Sequence, residues 1–321
     1  MNLLDNLEDT LLMGPGPSCV PTEVYDAIAR PTVGHLDPRF IKIMDGIKEL
    51  LKEVMETENR LTIPMSGTGS AGMETCFVNL VEPGDRVLVL INGVFGTRMS
   101  DVAGRLGAQV DELEFKWGLP VDSAAVQEKL QGNDYKIVAV VHAETSTGVC
   151  NPVAEIGKLV KDAGALFLVD AVTSLGGMPV KTDEWGIDAL YSGSQKCLSC
   201  PPGLAPISFS EAALEKLQSR ESKVPNWYLD LSLIVNYWQG AKRSYHHTAP
   251  VNLLYAFYQS LKLTADEGTD AVYARHTAAH EELVSGLDEL GLDMLCEPSC
   301  RLPMLNAVVV PEDVDEAAVR S

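Results

Sequence analysis

Two residues in this chain have types and a placement that point to one chemistry. Asp170 closes the apolar run Ala165-Leu-Phe-Leu-Val-Asp170, and Lys196 closes Tyr191-Ser-Gly-Ser-Gln-Lys196, just past the next apolar run. An Asp at the carboxyl end of a buried strand can keep a pyridine nitrogen protonated. A Lys beyond the following strand can form a Schiff base with an aldehyde. Together they suit pyridoxal phosphate, whose ring then accepts electrons. The same residues also suit a helix-capping Asp and an ordinary surface Lys. Their surroundings decide between the two.

Three further segments add chemistry. Met65-Ser-Gly-Thr-Gly-Ser-Ala-Gly72 precedes the helical stretch 73–81, so small residues and a helix N-terminus together offer an anion cradle, with Ser66 and Thr68 adding hydroxyls. It is neither a Walker loop nor a dinucleotide fingerprint, and no strand pattern is expected to lead into it. Asn92-Gly-Val-Phe-Gly96 follows an apolar run, which puts Phe95 where an aromatic can stack on a flat ring or simply pack in the core. His142-Ala-Glu-Thr-Ser-Thr-Gly148 ends another run with several hydrogen-bonding side chains in a row. Successive strand ends thus supply anion cradle, aromatic face, hydroxyl cluster and Asp, followed by Lys. A phosphorylated aromatic aldehyde needs that set.

The elements that must position these groups are legible as runs and periods. The stretches 86–91, 136–142, 165–170, 188–192 and 204–209 are short apolar runs that read as strands buried on both faces. Amphipathic stretches 98–106, 122–130 and 152–163 lie between them, the last framed by Pro152 and Gly164. Alternating strands and helices predict an α/β fold with a mainly parallel sheet covered on both faces. Ligands of such folds lie outside the carboxyl ends of the strands, where Asp170 and Lys196 fall. Leu11-Leu-Met-Gly-Pro-Gly-Pro17 reads as an extended arm, and helix signals return at 251–264 and 270–290. Asn306-Ala-Val-Val-Val-Pro311 is expected to be a strand and 314–320 the start of a helix, too little for a closed second domain. The expected organisation is an arm at 1–17, a large domain at 18–267 and an incomplete, truncated small α+β domain at 268–321.

Composition excludes several classes. With 25 basic and 45 acidic residues the formal charge is −20, a field that repels nucleic acid and anionic membranes; neither is an expected partner. No apolar run approaches the length of a membrane span, and the acidic start Met1-Asn-Leu-Leu-Asp lacks a secretory pattern, so a cytoplasmic protein is expected. Seven scattered cysteines do not suggest a disulfide framework. Cys197 and Cys200 with Cys296 and Cys300 could supply four thiolates to zinc, but the second spacing and the long separation fit poorly, and no metal is expected.

Ser66-Gly67-Thr68, Asn92-Gly-Val-Phe-Gly96, Glu144-Thr-Ser-Thr-Gly148, Asp170-Ala-Val-Thr-Ser174, Ser194-Gln-Lys196 and Tyr245-His-His-Thr248 resemble the class V, fold-type I aminotransferases, in particular the alanine–glyoxylate and serine–pyruvate branch. Gly14-Pro-Gly-Pro17, Cys200-Pro-Pro-Gly-Leu204 and His246-His-Thr-Ala-Pro-Val251 strengthen the resemblance, which covers nearly the whole chain. It implies a sheet of the seven-stranded kind between helices, and pyridoxal 5′-phosphate as cofactor. Lys196 would form the Schiff base and shuttle the proton, Asp170 would pair with the pyridinium, Phe95 would stack on the ring, and Val172 would cover its other face. Ser66, Gly67, Thr68 and Gln195 would bind phosphate, and Ser146 would bond near the ring hydroxyl. Tyr245 and Thr248 resemble residues that reach the neighbouring subunit's phosphate, which implies a homodimer with shared sites.

The implied activity is transfer of the amino group of L-alanine or L-serine to glyoxylate or pyruvate by a ping-pong cycle. Three alternatives remain. Ureidoglycine–glyoxylate transamination is the nearest, though the phrase His246-His247 speaks against it. A cysteine desulfurase or lyase would carry His where Gln195 stands, and Cys296 and Cys300 lack the matching context. A cofactor-binding remnant of weak activity is the third, since neither Arg301 nor Arg320 matches the Arg with which the family grips a substrate carboxylate.

Overall fold

A computed structural model describes residues 2–8, 10–239 and 243–320. Met1, Asp9 and Ser321, which belong to the expected arm and small domain, lie outside the described residues. Helices α1 (Thr22–Ile28) and α2 (Pro38–Val54) come first. Asp37 caps α2 by accepting from Arg39 N at 2.8 Å, with Pro38 at the first helical position. Phe40, Met44, Ile47, Leu51 and Val54 recur at helical spacing and are all buried.

Then follow β1 (Leu61–Ser66), α3 (Gly69–Leu80), β2 (Arg86–Ile91), α4 (Val94–Arg105), β3 (Gln109–Glu114), α5 (Ser123–Leu130) and β4 (Ile137–Val141). A short hairpin of β5 (Ala143–Glu144) and β6 (Val149–Cys150) leads to α6 (Val153–Asp162), β7 (Leu166–Asp170), β8 (Ala189–Tyr191) and β9 (Leu204–Phe209). Helices α7 (Glu211–Gln218), α8 (Leu231–Trp238), α9 (Val251–Glu267), α10 (Thr269–Glu289) and α11 (Glu316–Arg320) complete the chain.

Seven strands form one sheet in the order β1-β9-β8-β7-β4-β2-β3. The block β3, β2, β4, β7, β8 is parallel, as the alternation of strands and helices predicts. Strand β9 runs antiparallel to both β8 and β1. Every residue of β4 and β9 is buried, as strands covered on both faces require.

Two elements differ from expectation. A strand does lead into the glycine-rich turn: β1 ends at Ser66, although Pro64 within it argues against a strand. Pro64 is tolerated because β1 is an edge strand and Pro64 faces Pro206, a pairing in which neither residue needs to donate across the ladder. The strand expected at 306–311 is instead a single bridge, Met294 to Val308, with Leu295 N donating to Ala307 O at 2.9 Å and Val309 N to Asp293 O at 2.8 Å. Its valines 308–310 stay exposed, because among the described residues no further strand pairs with them.

Helix α6 lies close against the segment before β8. A Cβ added at Gly157 would stand 2.0 Å from the Trp185 carbonyl oxygen, a backbone atom that cannot swing aside. Gly157→Ala is therefore expected to cost about 1–3 kcal/mol, read as a lowered midpoint in denaturant unfolding. An unchanged midpoint would mean that α6 shifts freely.

Candidate active site

The carboxyl ends of the parallel strands and the N-termini of α3 and α4 meet around Asp170. This residue ends β7 opposite Tyr191, the last residue of β8. Asp170 Oδ1 accepts from Val172 N at 2.7 Å and Oδ2 from the Tyr191 hydroxyl at 2.6 Å. It is buried, and burial pushes the carboxyl up to about 6 from the usual 3.8, against the pull of both hydrogen bonds. Among the described residues it forms no ion pair, so the carboxyl is fixed in direction while its charge remains uncompensated. A protonated ring nitrogen meets that need.

Tyr191 is part of the site although sequence reasoning gave it no role; its signal was its place at the end of the strand beside β7. Tyr191→Phe removes a donor from a buried carboxyl. It is expected to destabilise the chain by about 1–3 kcal/mol at neutral pH and by less below pH 4, where the carboxyl holds its own proton and the bond is no longer charge-assisted. Urea unfolding at both pH values checks this; equal losses would mean that the hydroxyl's contribution does not depend on the charge of Asp170.

Lys196 follows β8 in the turn 193–200. Burial lowers its pKa, opposed by Cys197 and Asp170. Its ammonium donates to the carbonyl of Pro15, so the arm lies directly over it. Ser18 fastens the arm, donating through N to Gln195 O at 3.0 Å and through Oγ to Lys196 O at 2.8 Å. Gly16 passes so near, with φ +131°, that a Cβ there would overlap the lysine's Nζ.

The cradle is built where β1 turns into α3. Ser66 ends the strand, Gly67 N bonds Gly203 O at 2.8 Å, and Thr68 caps α3 without spending its side chain on the helix. Because α3 starts at Gly69, the unpaired N–H groups include those of Gly69 and Ser70, one step beyond the residues the sequence singles out. Val172 lies beside both Gly69 and Gly193, and Gln195 beside Gly193. The Gln195 side-chain oxygen is buried without a partner, and an amide turned over presents a donor at that point. An uncommitted buried amide and an open helix N-terminus fit a phosphate.

Phe95 stands in the first turn of α4, half-buried, with the Arg98 guanidinium 4.9 Å from its ring centre. Ser146 is committed elsewhere: its hydroxyl donates to Glu144 at 2.6 Å and accepts from Val94 N at 3.0 Å. Thr145 bonds Thr173, in the loop after Asp170, through their hydroxyls at 2.5 Å. His142 is buried edge-on to Trp185 and pushed down to about 4 by burial, which makes it a neutral packing residue. Tyr245 and Thr248 do not join this set directly. Both are exposed and bond each other at 3.3 Å, while His247 between them lies 3.3 Å from Ser66 Oγ. The thiols of Cys197 and Cys296 go to the carbonyls of Thr173 and Thr147, and no group of three potential metal ligands converges among the described residues.

The chain is similar to known proteins over nearly its whole length. The family model for Aminotransferase class-V matches residues 14–320. The (S)-ureidoglycine–glyoxylate transaminase of Bacillus subtilis is 36% identical over 327 residues, covering 96% of this chain and 78% of that protein. The alanine–glyoxylate aminotransferase of Oryctolagus cuniculus is 40% identical over 304 residues, covering 94% and 78%. The crystal structure of an alanine–glyoxylate aminotransferase from Nostoc sp. superimposes with a TM-score of 0.95 at 47% identity, over 98% of this chain and 84% of that one.

Proposed function

We propose, from the premise that this chain belongs to the class-V aminotransferases, that it moves the amino group of L-alanine or L-serine to glyoxylate or pyruvate. The chain is an aminotransferase of the fold-type I class and uses pyridoxal phosphate. Asp170, a buried carboxyl held by two hydrogen bonds and close enough to Lys196 to oppose the lowering of that lysine's pKa, supports the cofactor part of this reading. Likeness to alanine–glyoxylate aminotransferases at 40% and 47% identity supports the choice of donor and acceptor. When bound, the cofactor supplies an aldehyde for amino groups and a ring that draws electrons from the substrate's Cα.

In this reading the chain's own residues do the rest. Asp170 holds the proton on the ring nitrogen, and Tyr191 and Val172 N hold Asp170. Lys196 attaches the cofactor, and its lowered pKa raises the fraction of neutral amine that can accept the Cα proton. Phe95 and Val172 confine the ring and exclude water. Thr68, Gly69, Ser70 and Gln195 hold the phosphate, and Ser66 and Gly67 shape the turn beneath it. The transfer runs as two half-reactions, donor first and acceptor second.

A homodimer is part of the proposal, with Tyr245 and Thr248 completing the neighbour's phosphate site. So are a large domain at 18–267, a small domain at 268–321 and a cytoplasmic location; among the described residues no helix is long and apolar enough to cross a membrane.

The test is a donor series. With glyoxylate as acceptor, L-alanine or L-serine is expected to give glycine at least about tenfold faster than (S)-ureidoglycine, a difference of roughly 1.4 kcal/mol in the barrier. Glycine formed from ureidoglycine alone would sink the proposal.

A further inference from the structure

The cradle at the start of α3 faces a doubly negative phosphate with neutral groups: backbone N–H, the Thr68 hydroxyl and the Gln195 amide. The chain around it carries a formal charge of −20. Neutral donors hold an anion poorly in a negative field unless a cation stands nearby. Arg98 occupies that position. It lies one turn along α4 from Phe95, with its guanidinium over the Phe95 ring, and its Nη1 donates to Ser70 Oγ at 3.4 Å. Ser70 belongs to the first turn of α3, so one arginine touches both the ring-stacking side chain and the anion-binding helix end.

The charge of Arg98 is also unspent. Arg39, Arg86, Arg105, Arg243 and Arg275 each pair with a carboxylate, whereas among the described residues no carboxylate lies within ion-pair distance of Arg98. A guanidinium laid flat on an aromatic ring keeps its N–H groups free at the edge. A Ser70 hydroxyl that accepts from Arg98 keeps its own proton to donate.

We propose that Arg98 is the cationic positioning residue of the phosphate subsite: it orients the Ser70 hydroxyl toward the phosphate, lends that end of the cradle its positive charge, and steadies Phe95. This rests on the pyridoxal phosphate reading of the cradle. It separates the tasks of the two cations at the site, with Lys196 at the aldehyde end and Arg98 at the phosphate end.

Binding to the cofactor-stripped chain, followed by ligand absorbance and Trp fluorescence, tests this with two ligands that differ only in the phosphate. Arg98→Gln is expected to raise the Kd for pyridoxal phosphate about tenfold and to leave the Kd for pyridoxal within about twofold. Ser70→Ala is expected to give the same phosphate-selective loss. Arg98→Lys, which keeps the charge without the fork, should fall between wild type and Arg98→Gln. Added salt should weaken pyridoxal phosphate binding more in wild type than in Arg98→Gln. Arg98 is exposed, so melting temperatures should not move. Equal weakening of both ligands, or no weakening of either, would overturn the proposal while leaving the cradle intact. A wild-type chain that bound neither ligand would overturn the reading of the cradle, and the proposal with it.

Discussion

Lys196→Ala is expected to lower transamination by about 10⁴-fold and to abolish the visible absorbance that covalently held cofactor gives the chain. One side chain is asked to do two things: to hold the aldehyde carbon and to carry a proton at the substrate's Cα. An alanine can do neither, and no second lysine replaces it, since the other side chains of the turn 193–200 are hydroxyls, thiols, an amide and apolar groups. The cradle and Phe95 should still bind the cofactor, so the variant should lose covalent attachment and turnover together while retaining reversible binding. Borohydride reduction followed by peptide mapping checks the attachment point. Wild type should carry the label on the peptide containing Lys196 and the variant should carry none. A label on another lysine, or a visible band that survives the substitution, would show the assignment to be wrong.

Asp170→Asn has the second-largest expected effect, a fall in turnover of about 10²- to 10³-fold with cofactor still bound. The amide keeps the shape and can still bond Tyr191, but it cannot neutralise a protonated ring nitrogen. The same substitution has a pH signature in the cofactor-free chain. The Asp170 pKa is about 6 when folded, above the ordinary 3.8, so the folded state holds that proton more tightly than the unfolded chain does. The resulting stabilisation is full below about pH 4 and is lost as pH rises through 6, a fall of about 3 kcal/mol. Urea unfolding between pH 4 and 7 should show that decline in wild type and not in Asp170→Asn. A flat wild-type profile would mean that the carboxyl titrates normally.

The parts of the site legible in the sequence were those written by local pattern. Apolar runs with both faces buried gave β2, β4, β7, β8 and β9, and with them the strand ends that carry Phe95, Asp170 and Lys196. Where local pattern and tertiary role diverge, the reading failed. Pro64 disguised β1, and the alternating polar residues of β3, Gln109–Glu114, reflect a sheet edge that is only half covered. Helix α2 went unread although its cap and apolar spacing are regular. The first turn of α3 was placed too late, which hid Gly69 and Ser70. The commitment of Ser146 to Glu144 depends on a side-chain direction that no motif encodes. Tyr191 and Arg98 act across neighbouring elements, and the Pro15 contact joins residues 181 positions apart. Resemblance to a family supplied the cofactor; only the fold could show what holds Asp170 in place.

The edge position of β1 also sets a schedule for the newborn chain. Its ladder partner is β9, and Leu61 pairs with Phe209, about 150 residues further on. At a synthesis rate of about 5–20 residues per second, β1 waits roughly 7–30 s for that partner to leave the ribosome. Through that interval its backbone donors and acceptors are unmatched, and the turn from Ser66 to Gly69 has no Gly203 carbonyl to lean on. The anion-binding end of the pocket is therefore among the last parts to be assembled. Chaperone capture of nascent chains should fall once residue 209 is clear of the exit tunnel.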